Sequence, residues 1–317
     1  MNQDSSYDLI IIGAGPAGFT AGLYASRAGL KTLLIEATAT LSQIAYADHI
    51  ENYPGFPEGI SGYELNDRFR NQAIRFGLKT VSGDVSAISP AEIDGLKGWE
   101  IKTESAFFKT LSCIIATGSS WRKMGIPGEE NLVGKGVSYC ATCDAPFYKE
   151  KDIFVIGGGD TAVGEAIYLT RFARKITIVH RRDRLRACEL LQKRAFENEK
   201  ITIIWNAVPE AILGESRVSG IRLKYLDSQK TADVPADGVF ILIGLDPNTG
   251  FIHNALKTDG KGYILVDKEM RTSTQGIFAC GDCIDKSLRQ VVTACGDGAV
   301  AASSAQSYIE DLKGNAH

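Results

Sequence analysis

Tyr7-Asp8-Leu9-Ile10-Ile11-Ile12-Gly13-Ala14-Gly15-Pro16-Ala17-Gly18 decides how this chain is read. An apolar run rich in β-branched residues stops at a glycine and passes into a helix-forming stretch over about 17–27. A second strand is predicted over 31–35. Strand, glycine turn, helix and strand within about 30 residues open a dinucleotide-binding fold. In Gly13-x-Gly15-x-x-Gly18 the first glycine permits a tight turn, the second lets backbone approach a pyrophosphate, and the third lets helix and strand pack closely. The helix start then presents free N–H groups and a partial positive charge to phosphate. Glu36, 18 residues past Gly18 at the end of the second strand, is placed to accept hydrogen bonds from an adenosine ribose.

The pattern restarts 144 residues later. A strand over 152–156 leads to Gly157-x-Gly159-x-x-Ala162, a helix from 160 to about 172 and a strand over 175–179. Alanine is an accepted third residue, and two copies of one unit indicate an internal duplication. His180, Arg181, Arg182 and Arg186 stand where the first copy has its acid. A carboxylate repels a ribose 2′-phosphate and arginines pair with it in two-pronged fashion. The second site is therefore expected to prefer NADP over NAD, the alternative being a solvated surface run of arginines. Two dinucleotide sites in one chain suggest a relay in which a nicotinamide gives hydride to a bound flavin.

Around these motifs the expected organisation is a loop over 52–59, a helix over 63–76, short strands over 78–110 and a strand over 111–116. A Gly-, Pro- and charge-rich stretch over 123–136 reads as a linker. Strands are expected over 238–243 and 276–280, with a long alanine-rich helix over 290–312.

The chain has 317 residues, enough for two domains on a prior of roughly 150 residues each. It is 44% hydrophobic and 23% charged, an ordinary globular composition that argues against disorder. Thirty-five Lys+Arg against 38 Asp+Glu leave a net charge of −3, with no global basic footprint for nucleic acid. No apolar run reaches the roughly 18 residues of a membrane span, and the first residues lack the basic start of a secretory signal.

The seven cysteines are Cys113, Cys140, Cys143, Cys188, Cys280, Cys283 and Cys295, an odd number that fits a reducing cytoplasm better than a disulfide framework. In Cys140-Ala141-Thr142-Cys143-Asp144 the two-residue spacing allows a disulfide within one turn, and a helix start there favours a thiolate. Asp144 can carry protons during exchange. Structural zinc needs four suitably spaced ligands, and the only other Cys-x-x-Cys, Cys280–Cys283, lies in the other part of the chain. A redox pair and no metal is the reading of Cys140 and Cys143. Cys280 and Cys283 read as packing residues or as an auxiliary disulfide. Cys113, Cys188 and Cys295 read as structural, and His49, His253 and His317 carry no assignment.

The order Gly-Ala-Gly-Pro-Ala-Gly at 13–18, Ala-Thr-Gly at 116–118, Cys-Ala-Thr-Cys-Asp at 140–144, Gly-Gly-Gly-Asp-Thr-Ala at 157–162, His-Arg-Arg-Asp-x-x-Arg at 180–186, Gly-Asp at 281–282 and Arg-Gln-Val at 289–291 resembles the low-molecular-weight thioredoxin reductases, from about residue 7 to 310. The resemblance implies an α/β fold of two Rossmann-like, three-layer ββα domains. The FAD domain would be discontinuous, 1–118 and 246–317, with the NADPH domain and its redox cysteines, 119–245, inserted in it.

It further implies that FAD is held by Gly13, Gly15, Pro16, Ala17, Gly18, Glu36, Gln43, Asn52, Thr117, Gly118, Asp282, Arg289, Gln290 and Val291. NADPH would be held by Gly157, Gly159, Asp160, Thr161, Ala162, His180, Arg181, Arg182 and Arg186. Cys143 would face the flavin, Cys140 would exchange with the disulfide of thioredoxin or a thioredoxin-like protein, and Asp144 would be the acid–base group. A cytoplasmic homodimer is implied, with the inserted domain rotating on hinges near 117–123 and 244–250. Other readings of the same relay are another disulfide acceptor, a dithiol oxidase, or a different electron donor. A non-catalytic NADP-binding sensor or a zinc-held scaffold is the reading from another class. The chain departs from the family at Leu41-Ser42-Gln43, where Gly-Gly-Gln is usual, and at Ala145, where glycine is usual.

Overall fold

The computed structural model describes residues 6–38, 42–47, 50–252 and 255–314. Leu41, His49, His253 and His317 lie outside the described residues. The chain forms two compact units, Met1–Ser120 with Asp246–His317, and Trp121–Leu245.

The first unit begins with β1 (Tyr7–Ile12), α1 (Pro16–Arg27), β2 (Thr32–Glu36), α2 (Gly62–Arg75) and β3 (Lys79–Ser82), followed by β4 (Val85–Ile93), β5 (Leu96–Thr103) and β6 (Phe107–Ile115). Strands β3, β2, β1 and β6 run parallel, with Ile10 opposite both Leu33 and Cys113. Strand alternation sends Leu9, Ile11, Leu34 and Ile114 to the helical face, and Ile10, Ile12, Leu33, Ile35 and Cys113 to the other. On that second face Ile101 of β5 joins the core, so the antiparallel β4–β5 layer covers it. Both faces of the parallel sheet are thus buried, which explains why β1 and β2 carry consecutive apolar residues, Leu9–Ile12 and Leu33–Ile35, rather than alternating ones. Helix α2 starts one residue before the expected 63 because the Ser61 hydroxyl caps it, accepting from Glu64 N–H at 3.2 Å.

The chain leaves this unit through β7 (Ser119–Trp121). The second unit comprises β8 (Val137–Ser138), α3 (Ala141–Asp144), β9 (Asp152–Ile156), α4 (Asp160–Leu169), β10 (Lys175–Val179), α5 (Glu189–Phe196), β11 (Ile201–Ile204), an antiparallel trio β12 (Ala207–Leu213), β13 (Gly220–Tyr225) and β14 (Thr231–Pro235), and β15 (Gly238–Ile241). Its parallel sheet has the order β11-β10-β9-β15-β8. The layering repeats that of the first unit. Ile153, Val155, Ile176 and Ile178 face Ala162, Ala166 and Leu169 of α4. Phe154, Ile156, Val179 and Val239 face Ile212, Ile221 and Leu223 of the antiparallel trio.

Helix α4 ends earlier than the expected 172. Lys200 Nζ donates to the Thr170 and Ala173 carbonyls at 2.9 and 3.0 Å, satisfying the end of the helix there.

The stretch 123–136 is not a linker. Glu129 is fully buried and accepts from the N–H groups of Met124, Gly125 and Ile126 at 3.0, 2.7 and 3.3 Å, and from the Tyr139 hydroxyl at 2.7 Å. Leu132 is buried in the core of the second unit. A loop rich in Gly, Pro and charge is here tied down by one carboxylate turned inward.

The chain returns through β16 (Leu245–Pro247), then forms β17 (Ile277–Ala279), which extends the parallel sheet of the first unit beside β6, and α6 (Val291–Leu312). Ala294, Gly298, Ala301, Ala302, Ala305 and Ile309 form the buried stripe of α6. Small residues let it approach α1 closely, and at Gly298 a side chain would collide with the Ala17 carbonyl.

Candidate active site

In the first unit Gly13 adopts φ +116°, which only glycine takes without strain, and a β-carbon there would lie 2.3 Å from the Ala116 carbonyl oxygen. Gly18 sits so close to the Gly13 carbonyl that a β-carbon would be 1.9 Å from it. Gly15 is the N-cap of α1, with no side chain capping the helix and Pro16 in its first turn. The amides of that turn are consequently left for an anion. Ala17 is buried, its β-carbon against Gly281 and its backbone against Gly298 of α6. Ser42 places its hydroxyl beside Gly15.

Glu36 ends β2 and is held by Arg70 of α2, with Nη2–Oε1 3.0 Å and Nη1–Oε2 3.3 Å. Arg70 carries no sequence motif. Gln43 donates to the Ser119 carbonyl. Asn52 Nδ2 donates to Gln290 Oε1 at 3.0 Å, across 238 positions of sequence. Gln290 is in turn the N-cap of α6 through a reciprocal capping box with Thr293, and Val291 packs beside Ile44 and Ile50. Thr117 exchanges two hydrogen bonds with Asn248, Oγ1 to the Asn248 carbonyl at 2.8 Å and Asn248 Nδ2 to the Thr117 carbonyl at 3.0 Å, and the Gly118 carbonyl accepts from Asn248 N–H at 3.0 Å. Asn248, like Arg70, has no motif to announce it.

Asp282 follows the end of β17. Its Oδ1 is buried and has no hydrogen-bond partner among the described residues. Burial pushes the carboxyl up from its ordinary range, and Lys286 and Arg289 pull it back. Arg289 lies over the Tyr263 ring at 4.2 Å and donates to the Lys286 and Ile284 carbonyls at 3.0 and 3.2 Å, with Nε buried and without a hydrogen-bond partner among the described residues. The flanking Cys280 and Cys283 are fully buried free thiols, and burial pushes Cys283 up to about 11.

The second unit repeats the turn. Gly157 has φ +149° and packs against the Leu242 carbonyl and Ala162. Gly159 is the N-cap of α4, again without a side-chain cap. Asp160 Oδ1 accepts from Cys188 N–H at 2.7 Å, and Thr161 is exposed beside it. Arg181, Arg182 and Arg186 are exposed, and Arg186 N–H donates to the Gly158 carbonyl at 2.7 Å, fixing the arginine loop to the glycine turn. His180 does not belong with the exposed cations. It is 5% exposed and packs against Gly158, and among the described residues its Nε2 has no hydrogen-bond partner. Burial first, then Arg186, Arg182 and Arg181, hold its imidazole below the ordinary 6.5.

In the same unit Cys140 and Cys143 form a disulfide, with Cα atoms 5.4 Å apart. Cys140 is the extended N-cap of α3, and its N–H donates to Ser138 Oγ at 3.1 Å. Its carbonyl accepts from Asp144 N–H at 3.2 Å, closing the turn. Ala145 takes φ −50° and ψ −42°, a helical conformation any residue adopts, so its β-carbon does not strain the turn. Tyr148 follows, its hydroxyl pushed up by burial and by nearby Asp144. Glu165 of α4, a residue that the sequence reading passed over, accepts from Ala141 N–H at 3.0 Å. Among the described residues no group of three or more His, Cys, Asp or Glu side chains is placed to hold a metal ion.

The pyridine nucleotide-disulphide oxidoreductase family matches residues 7–298. The chain is 48% identical to the thioredoxin reductase of Listeria monocytogenes, over 98% of this chain and 97% of that one. It is 47% identical to the thioredoxin reductase of Bacillus subtilis, over 99% and 98%. Among solved structures, the thioredoxin reductase of Streptococcus pyogenes superposes with a TM-score of 0.91 at 44% identity, over 97% of this chain and 99% of that one. Two Rossmann-like units of duplicated layering, one carrying a Cys-x-x-Cys disulfide, agree with these likenesses, and the chain belongs to the pyridine nucleotide-disulphide oxidoreductase family.

Proposed function

We propose that the protein is an NADPH-dependent flavoenzyme that reduces the disulfide of thioredoxin or a thioredoxin-like protein. The overall reaction is NADPH + H⁺ + protein disulfide → NADP⁺ + protein dithiol. The observation that carries the reading is the Cys140–Cys143 disulfide in a unit whose glycine turn opens beside exposed Arg181, Arg182 and Arg186.

The residues present fit both cofactors. In the first unit the uncapped start of α1, the Glu36 carboxylate and the orphaned Asp282 Oδ1 supply what a dinucleotide's pyrophosphate, ribose and remaining polar atoms need. FAD is assigned to that unit, 1–118 and 246–317, with Gln43, Asn52, Thr117, Gly118, Arg289, Gln290 and Val291 around it. In the second unit the uncapped start of α4 suits a pyrophosphate, and the arginines suit a 2′-phosphate. NADPH is assigned there, within 119–245, with Asp160, Thr161 and Ala162 in the turn and His180 packed against it at Gly158. Bound FAD supplies the two-electron carrier between nicotinamide and disulfide.

The chain's own chemistry is thiol exchange. Cys140 thiolate attacks one sulfur of the partner's disulfide, forming a mixed disulfide and releasing one partner thiolate. Cys143 thiolate then attacks the Cys140 sulfur, releasing the second partner thiolate and restoring the Cys140–Cys143 disulfide. Asp144 supplies a proton to a departing thiolate, and Cys143 is the sulfur assigned to face the flavin.

The five cysteines outside the disulfide are free thiols, which suits a cytoplasmic location. Among the described residues no helix is long and apolar enough to cross a membrane. A homodimer is proposed, supported by apolar side chains left exposed on α1 and α6, Tyr24, Val292 and Val300.

The test is an anaerobic visible titration of the purified protein with NADPH and NADH in parallel, followed by turnover with thioredoxin. A yellow protein bleached by NADPH in preference to NADH, and reoxidised by thioredoxin, is expected. A colourless protein, or one bleached by neither nucleotide, would sink the reading.

A further inference from the structure

Helix α3 is a single turn of four residues, too short to hold its own shape. While the disulfide is intact, the sulfur bridge between Cys140 and Cys143 constrains it. Once the disulfide is reduced, that constraint is gone at the moment when Cys140 must meet the partner. Ala141 and Ala145 stay packed in the core of the unit, and the hydrogen bonds that hold the start of the turn include Cys140 N–H to Ser138 Oγ, Asp144 N–H to the Cys140 carbonyl, and Ala141 N–H to Glu165 Oε2. The first two partners belong to the same stretch of chain and move with it. Glu165 alone of the three comes from a separate element that is anchored in the core.

That element is α4, whose Ala162, Val163, Ala166 and Leu169 are buried and whose first turn begins at Gly159. Glu165 therefore projects from a fixed helix to the first N–H beyond Cys140. A carboxyl placed there is costly, since burial pushes it up from its usual range while the Ala141 N–H pulls it back.

We propose that Glu165 is a positioning residue for the Cys140–Cys143 pair: its carboxyl, hydrogen-bonded to Ala141 N–H, holds the start of the redox turn in the reduced enzyme so that Cys140 keeps its geometry for exchange. The inference rests on the relay proposed above. It makes α4 common to the two ends of the unit's chemistry, the glycine turn at its start and the redox turn at Glu165.

The test uses the holoenzyme and two acceptors: thioredoxin, which needs the dithiol, and ferricyanide, which takes electrons from flavin directly. Glu165→Ala is expected to lower kcat with thioredoxin about tenfold, the scale of one lost hydrogen bond to a charged group, with NADPH–ferricyanide turnover unchanged. Glu165→Gln keeps an oxygen acceptor at the same reach and is expected to restore most of the thioredoxin rate. Glu165→Asp, which keeps the charge and withdraws the acceptor by one methylene, is expected to lose rate, and it carries the test if Glu165→Ala does not fold. Wild-type thioredoxin turnover in the Ala and Asp variants, an equal loss with both acceptors, or failure of Gln to rescue would each overturn the proposal. A wild-type enzyme with no NADPH–thioredoxin turnover would instead overturn the relay itself.

Discussion

The Arg70 guanidinium grips the Glu36 carboxylate with two nitrogens, Nη2–Oε1 at 3.0 Å and Nη1–Oε2 at 3.3 Å, from a helix 34 positions away. Glu36 is the side chain assigned to the adenosine ribose of FAD, and it is the more buried partner, at 19% side-chain exposure against 39% for Arg70. The pair fixes the plane of the carboxylate before any ligand arrives.

Arg70→Met should therefore weaken FAD binding about tenfold, the scale of one lost charge-assisted bond. Reconstituting the apoprotein with FAD and following flavin fluorescence reads the dissociation constant directly. An unchanged constant would mean that Glu36 does not need Arg70 to present its oxygens.

The arginines of the second unit lend themselves to a comparison of two nucleotides differing by one phosphate. Arg181→Ala with Arg182→Ala should raise the KM for NADPH by about tenfold or more and leave that for NADH nearly unchanged. Equal loss for both nucleotides would mean that the arginines do not read the 2′-phosphate.

His180 supplies a pH dependence whose sign can be worked out. Its folded-state value lies below the ordinary 6.5, chiefly through burial and then through Arg186. Below about pH 6.5 the unfolded chain binds a proton at this position that the folded chain refuses, so stability falls as pH falls through that window. Wild type should thus lose more Tm than a non-titrating His180→Gln variant on going from about pH 7.5 to about pH 5.5. Parallel losses in the two proteins would show that His180 protonates freely in the fold.

The turns at Gly13 and Gly157 were legible because everything that defines them is local: an apolar strand, a glycine at positive φ, and an uncapped helix start within six residues. The layering of each sheet was less so, since the β4–β5 cover and the β12–β14 trio are written in partly polar strands. Arg70, Glu165 and Asn248 were not legible at all. Their partners lie 34, 24 and 131 positions away, and only packing brings them together. The stretch 123–136 was misread for a different reason, since the partners of Glu129 are only 3 to 10 positions away. Its composition describes a loop, and composition does not show that Glu129 turns back onto three backbone N–H groups and the Tyr139 hydroxyl. His180 stands next to the arginines in sequence, but just past the end of β10 it turns inward against Gly158 while Arg181 and Arg182 stay exposed.

The free thiols separate by exposure, and this bears on whether Cys280 and Cys283 can act as a second redox pair. Thiolate is the reactive form, and burial without a cation disfavours it. Cys280 and Cys283 are fully buried and both are pushed up, Cys283 to about 11, with its Sγ turned to the Ile115 and Cys280 carbonyls. Cys113 is buried in β6 and pushed up by burial alone. Cys295 is half-buried and raised as well, beside the Tyr53 hydroxyl. Cys188 is exposed at the start of α5. Maleimide labelling of the oxidised enzyme near neutral pH should accordingly modify Cys188 rapidly and the other four slowly, and Cys188→Ala should remove the fast phase. Prior reduction by NADPH should add Cys140 and Cys143 to the fast set, with no gain at Cys280 or Cys283. Fast modification of Cys283 by peptide mapping would show that the Gly281–Asp282 turn opens to solvent, and only then could Cys280 and Cys283 exchange with Cys140 and Cys143 rather than serve as packing around Asp282.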